Sequence, residues 1–217
     1  MSAYEFTLSS AKLCALPNGV LWWPDRRLLC VSDLHLGKSD RIARRGGTLL
    51  PPYETRETLE RLAASVTALD PLTVICLGDS FDDLAALDAL SEADHKLLST
   101  LMAGRRWVWI EGNHDPGPLA IGGSHLASFS TGPLTFRHIA DPAETAEVSG
   151  HYHPKARIAS TTKPCFLLDK NRLILSAFGA YTGGLRTTSD ALTTLMQKGA
   201  LAILTGNKAL PVPMPRK

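Results

Sequence analysis

The sequence predicts an α/β fold with a parallel core sheet, on three observations. Predominantly apolar runs recur at Arg27–Ser32, Leu72–Leu77 and Trp107–Ile110, with the near-continuous hydrophobicity of strands buried on both faces. Helical periodicity fills the intervals between them, as parallel strand crossovers require. Each run also leads straight into a polar cluster, the usual position of a ligand site in an open α/β sheet.

The elements follow in order. Leu59, Leu62, Ala63, Val66 and Leu69 recur at helical spacing after Pro51 and Pro52, which predicts an amphipathic crossover helix over Tyr53–Leu69. Ser91-x-x-Asp94 opens a second helix carrying Leu97, Leu98 and Leu101, and Gly104 is placed to end it. After Gly123 the pattern changes to short strands at Leu134–His138, Glu147–Gly150, Cys165–Leu168 and Leu173–Ala177, the last two forming a hairpin around Asp169-Lys-Asn-Arg172. A helix over Ser189–Gln197 and a strand over Ala200–Leu204 precede a proline-rich tail of about residues 208–217. Length and the absence of a linker or repeat point to one domain over 1–217.

Apolar residues make up 44 % and charged residues 20 %, which excludes disordered, collagenous and coiled-coil classes. The net charge of +2 lacks the excess of a protein that simply coats nucleic acid, but its distribution is uneven. Residues 150–217 carry 10 basic and 2 acidic side chains, whereas residues 70–115 carry 3 basic and 9 acidic ones. The middle therefore suits cations and the last third suits phosphates. Cys14, Cys30, Cys76 and Cys165 are far apart and read as free thiols. With no signal-like N-terminus, no membrane-length apolar stretch and no N-x-S/T sequon, a cytoplasmic protein is expected.

Four clusters carry the chemistry: Asp33-x-His35, Gly78-Asp79, Gly112-Asn113-His114-Asp115 and Gly150-His151-x-His153. In an extended segment, residues two apart point the same way, so Asp33 with His35, and His151 with His153, each offer two ligands to one cavity. Carboxylate, imidazole and carboxamide without thiolate suit Mn²⁺, Fe or Zn²⁺ in a reactive rather than structural site. Asp79 has two oxygens and can bridge two ions. Taken singly, each cluster also reads as a turn or a loop hydrogen-bonding motif. Four in this order, each after a predicted strand, read as a metal centre. His95 on a helix face reads as solvated, and His125 in a Gly-Ser loop as structural or solvent-facing.

The ordered set of motifs resembles the calcineurin-like metallophosphoesterase superfamily. The resemblance implies a four-layer α/β/β/α sandwich of two mixed sheets, with a dinuclear centre at the strand ends. It implies Asp33, His35 and His153 as ligands of one ion, Asp79 as the bridge, and Asn113 and His151 as ligands of the other. It also implies one more histidine between the last two motifs, for which His138 is the candidate and His125 the weaker alternative. Leu21-Trp-Trp-Pro24, Asp33-Leu-His-Leu-Gly-Lys38, Pro154, Pro164-Cys-Phe166 and Ser176-Ala-Phe-Gly179 to Thr182-Gly-Gly184 are similar to the bacterial ligase-associated DNA damage response endonuclease branch. That branch implies a manganese-type phosphodiesterase acting on DNA beside ligase-associated repair proteins. Ser80-Phe81-Asp82-Asp83 departs from the histidine-containing segment of that pattern, and Ile42-Ala43 from its usual aromatic.

The expected mechanism is in-line attack by a metal-bridging hydroxide, with two divalent ions, Mn²⁺ foremost, neutralising the charge that builds on the phosphoryl group. His114, oriented by Asp115, would protonate the leaving oxygen or stabilise the transition state. Asp82 and Asp83 read either as site-tuning groups or as a solvated acidic loop. Lys38, Arg41, Arg44, Arg45, Lys155 and Arg157 flank the motifs as candidate phosphate contacts, with Lys38, Arg41, Arg45 and Lys155 the foremost, or form a solvated basic face. Trp22, Trp23, Trp107 and Trp109 offer rings for base stacking, but their alternation within strands favours core packing or a subunit interface. The expected function is a DNA phosphodiesterase of repair. The alternatives are a small-nucleotide or phosphomonoester phosphatase on the same centre, and a non-catalytic scaffold, which the intact ligand set argues against.

Overall fold

The computed structural model describes residues 2–47 and 53–216. Among these residues the strands build two mixed sheets. The first contains, in chain order, β1 (Tyr4–Leu8), β2 (Ala11–Ala15), β3 (Leu21–Trp23), β4 (Leu28–Ser32), β5 (Thr73–Leu77), β6 (Arg106–Ile110) and β7 (Ser124–Leu126). β1 to β4 pair antiparallel, and β4 to β7 pair parallel. Helices α1 (Lys38–Arg44) and α2 (Glu54–Leu69) lie between β4 and β5, and α3 (Glu92–Met102) lies between β5 and β6. The Ser91 hydroxyl caps α3 by accepting the Asp94 amide at 3.1 Å, as the sequence predicts. Pro51 and Pro52, expected to open α2, lie outside the described residues.

The second sheet collects β8 (Ser128–Thr131), β9 (Leu134–Arg137), β10 (Glu147–Ser149), β11 (Lys155–Ile158), β12 (Thr161–Leu168), β13 (Arg172–Ile174), β14 (Leu201–Leu204) and β15 (Leu210–Pro213), with α4 (Asp190–Leu195) before β14. Its order is β15-β14-β12-β13-β10-β9-β8, and β11 pairs with β12. The β12–β13 pair is the predicted hairpin, with Asp169 accepting the amides of Asn171 and Arg172 across the turn.

Alternation sorts the strand residues into layers. Cys30, Ile75 and Val108 sit side by side in register, face the second sheet, and pack with Phe136, Val148, Phe166, Leu173 and Ile203. Their neighbours Val31, Val74, Cys76, Trp107 and Trp109 face outward and pack against Leu59, Leu62 and Val66 of α2 and Leu98 and Leu101 of α3. On the far side, Cys165, Leu167, Ile174 and Ala202 meet Leu192 of α4 and Met196. The result is the expected four-layer α/β/β/α sandwich, and burial of both sheet faces explains the near-continuous apolar runs. Trp23 lies between the sheets and Trp107 and Trp109 under the helices, so they pack the core.

Three segments differ from the sequence reading. The tail from about residue 208 contains an edge strand, β15, whose Pro211 and Pro213 lie where missing N–H groups cost least. The β1–β2 hairpin turns on Ser9 and Ser10 at φ 44° and 70°, a left-handed pair for which Asn-Gly is the usual signal, so it left no mark in the sequence. The strand expected over Leu173–Ala177 leaves the sheet after Ile174 to cross over the first metal motif.

Phe166 is fully buried between the sheets. Phe166→Ala is expected to lower the unfolding free energy by about 3–5 kcal/mol in urea denaturation. Leu210→Ala, at an exposed edge, should stay within about 0.5 kcal/mol of the wild type.

Candidate metal centre

All four motifs converge at the ends of β4, β5, β6 and β10 that face the same rim of the sandwich. Asp33 follows β4 and is fully buried. Its carboxylate accepts from the Ser32 hydroxyl and, at 3.0 Å, from the His151 amide, and Nε2 of His153 lies 3.2 Å from it. The His35 amide donates to the Asp79 carbonyl at 2.9 Å, tying the first motif to the second. Nε2 of His35 stands 3.4 Å from Nε2 of His153. The Asp79 carboxylate accepts the His114 amide at 2.8 Å with one oxygen, while the other is 3.4 Å from Nε2 of His138. That same Nε2 is 3.1 Å from the Asn113 Oδ1 and 3.2 Å from Nδ1 of His151.

The backbone differs from the extended geometry that the two-residue spacing implies. Asp33, His35, Asp79, His151 and His153 all have positive φ, between 43° and 69°. Three of the four clusters, all but Gly112–Asp115, therefore place left-handed residues at the strand ends, a conformation costly for non-glycine residues that persists only where its surroundings enforce it. The motif glycines make room: a Cβ on Gly78 would lie 2.2 Å from the His138 ring, and one on Gly150 would lie 1.8 Å from the Ser32 hydroxyl.

Ligand atoms of Asp33, His35 and His153 lie within 4.8 Å of one another, as do those of Asp79, His138 and His151, and those of His35, Asp79 and His114. Ring orientation is set from outside the cluster. Nδ1 of His35 donates to the Asp82 carboxylate at 2.7 Å and Nδ1 of His138 to the Leu77 carbonyl at 3.1 Å, which leaves both Nε2 lone pairs directed inward. Imidazole nitrogens and the Asn113 carbonyl oxygen crowded together at 3.1–3.4 Å form a donor set that fits divalent cations.

The electrostatics agree. Burial alone would raise the Asp79 carboxyl, but the hydrogen bond and charge of His138 and the His114 amide outweigh it and hold the group well below the usual carboxylate range. Burial likewise opposes ionisation of Asp82, yet His35 and Arg41 bring it below its ordinary value. Burial would lower His138, whose pKa is instead raised by Asp79 and Asp33.

Two expectations are corrected. Asp115 does not touch the His114 ring; its carboxylate accepts the amides of Ser80, Phe81 and Gly112 at 2.8–3.1 Å, stitching two motif loops together. Burial pushes its pKa up to about 6. The His114 ring is held instead through Nδ1, which donates to the Asp82 carbonyl at 2.8 Å. Secondly, Arg41 is not free for substrate, because its guanidinium is bonded to the buried Asp82 carboxylate. Arg44 pairs with Asp40 and Asp83. Lys38 is half-buried and near enough to Asp82 to favour its charged form, whereas Arg45, which caps the C-terminus of α1, is exposed. Lys155 donates to the Thr182 carbonyl at 3.0 Å and lines a cavity with His153. His125 lies in β7 beside the Trp109 ring, away from the cluster, and His95 on α3. Asp82 is the functional residue that sequence reasoning left undecided. Its only signal was position, three residues after Asp79.

A sequence model of the family described as calcineurin-like phosphoesterase matches residues 26–191. None of the curated proteins compared matches the chain. Among solved structures, the chain is similar to the nuclease MPE of Pseudomonas putida, with 26 % identity, a TM-score of 0.77, and coverage of 97 % of this chain and 100 % of that one. The match runs through all four motifs, whose residues meet at one rim of the sandwich, and the chain belongs to the calcineurin-like phosphoesterase family.

Proposed function

We propose that this chain is a dinuclear-metal-dependent phosphodiesterase, a DNA endonuclease of repair, built as one domain. The observation that carries the reading is that ligand atoms of Asp79 lie within 4.8 Å of those of His138 and His151 on one side and of His35 on the other, where His35 also groups with Asp33 and His153. This supports Asp79 as the bridge between the two sets, with Asn113 beside His138. The similarity to a nuclease over nearly the whole chain favours nucleic acid as substrate. Mn²⁺ is the proposed metal, with Fe and Zn²⁺ compatible with the same donors. Free cysteines, with burial raising the Cys30, Cys76 and Cys165 thiols, fit work in a reducing cytoplasm beside ligase-associated repair proteins. No helix among the described residues is long and apolar enough to cross a membrane.

When bound, two divalent ions supply Lewis acidity toward the phosphoryl oxygens and lower the pKa of a shared water. The chain's own work is to hold that arrangement rigid. Asp82 fixes the His35 tautomer, Leu77 fixes that of His138, and the His114 amide orients Asp79. His114, with Nδ1 committed to the Asp82 carbonyl, keeps Nε2 for the substrate; as an imidazolium it can deliver that proton to the leaving oxygen and become neutral.

The test is hydrolysis of single-stranded and plasmid DNA beside bis-p-nitrophenyl phosphate and a phosphomonoester. Mn²⁺-dependent diester cleavage, abolished by chelation and reduced by at least about 10³-fold in Asp79→Ala, is expected. Turnover of the monoester alone would favour the phosphatase reading, and chelator-resistant cleavage would overturn the mechanism.

Asp82 supplies a second check. Asp82→Asn keeps the shape but weakens the acceptor for His35, and metal titration should show affinity falling about 10- to 100-fold. An unchanged affinity would reduce Asp82 to a packing role.

A further inference from the structure

We propose that a groove running from His153 past Tyr181 to Lys163 and Arg61 binds a single strand of nucleic acid beyond the scissile phosphate. The inference deepens the phosphodiesterase reading and rests on it. Two adjoining cavities, of about 150 and 420 Å³, share Pro164, Ser176, Ala177 and Thr182. The smaller opens at His153 and is lined by Lys155 and Tyr181, and the larger continues it past Lys163 and Arg61. No acidic side chain lines either, although the chain as a whole is nearly neutral. A sequence of cations leading away from a phosphoester-cleaving centre is complementary to a phosphate backbone.

The groove is organised in advance. Arg61 is held over the Phe178 ring and donates to the carbonyls of Phe178 and Asn18 at 3.0 and 3.2 Å. Lys155 is held by the Thr182 carbonyl. The loop bearing Tyr181 is fastened at both ends to ligand-bearing segments. Gly179 donates to the Asp33 carbonyl and Leu185 to the Tyr152 carbonyl, while the Ala180 amide reaches Thr58 on α2. A Cβ on Gly179 would lie 2.1 Å from the Leu34 carbonyl oxygen, and one on Gly184 2.0 Å from that of His153, so the loop fits against the centre only with glycine there. Between these anchors Tyr181 takes φ 56° and is 46 % exposed, lining the smaller cavity. A large ring held in a left-handed conformation beside a row of cations is a platform on which a base of any identity can stack. A duplex keeps its bases stacked on each other and cannot offer one to a lone ring, which favours a single strand.

The test is fluorescence anisotropy of the purified protein with a phosphorothioate-linked oligothymidylate of roughly eight nucleotides, which reports binding whether or not diesters are cleaved. Tyr181→Ala should weaken binding about 5- to 150-fold, while Tyr181→Phe restores it. Lys163→Ala should reduce the slope of log affinity against log salt by about 0.7, the value for one lost single-strand phosphate contact. Lys198→Ala, an equal charge change at an exposed site outside the groove, should do neither. Absence of wild-type binding, wild-type affinity and slope in both Tyr181→Ala and Lys163→Ala, or the same loss in Lys198→Ala, overturns the groove. Binding that responds as expected in a protein that cleaves no diester upholds the groove and overturns the proposed activity.

Discussion

The rim of this sandwich is organised around one carboxylate. Asp79 receives the His114 amide on one oxygen and faces the His138 imidazole with the other, and its own carbonyl receives the His35 amide. Three of the four motifs thus meet at a single residue, and the fourth reaches it through the contact of His151 with His138. Acceptors from separate strands face one another at little more than 3 Å, an arrangement that is favourable only with positive charge among them. The depressed Asp79 pKa and the raised His138 pKa have a shared cause in the hydrogen bond and opposite charges that these two groups present to each other.

Holding such a cluster costs backbone energy. Five ligand-type residues adopt left-handed φ values, each worth about 1–3 kcal/mol of strain. The compensation lies in the sheets. β4, β5 and β6 end in register, so their termini hand over Asp33, Gly78 and the Gly112 turn at nearly one level. Asp115 then clasps the second and third loops through three amides, and the strand leaving β13 secures the first through the Ser32 and Asp33 carbonyls. The residues that shape the centre most from outside, Asp82 and Asp115, are buried carboxylates committed to partners within the protein.

Much of this was legible in the sequence, for identifiable reasons. Strands buried on both faces write themselves as apolar runs, and the capped amphipathic α3 is readable residue by residue. The four motifs themselves were readable because each follows a strand, and the structure brings Asp33, His35 and His153 together, and Asp79, His138 and His151. What escaped was whatever depends on side-chain direction in three dimensions. Arg41 looked like a phosphate contact because it is basic and near a motif, yet it serves a buried carboxylate. Asp115 looked like the orienting partner of its neighbour His114, yet adjacent residues in a tight turn diverge, and it bonds amides 34 and 35 residues away. The Ser9-Ser10 hairpin and the proline-bearing edge strand were hidden because their residue types are those of tails and loops.

The central claim is that one carboxylate joins two complete ligand sets. Native mass spectrometry of the protein reconstituted with Mn²⁺ tests it most directly, because it counts ions without reference to any substrate. The account predicts two ions per chain in the wild type and at most one in His138→Ala, with the site of Asp33, His35 and His153 still filled. A wild type that saturates at a single ion, or a His138→Ala protein that still holds two, would contradict it.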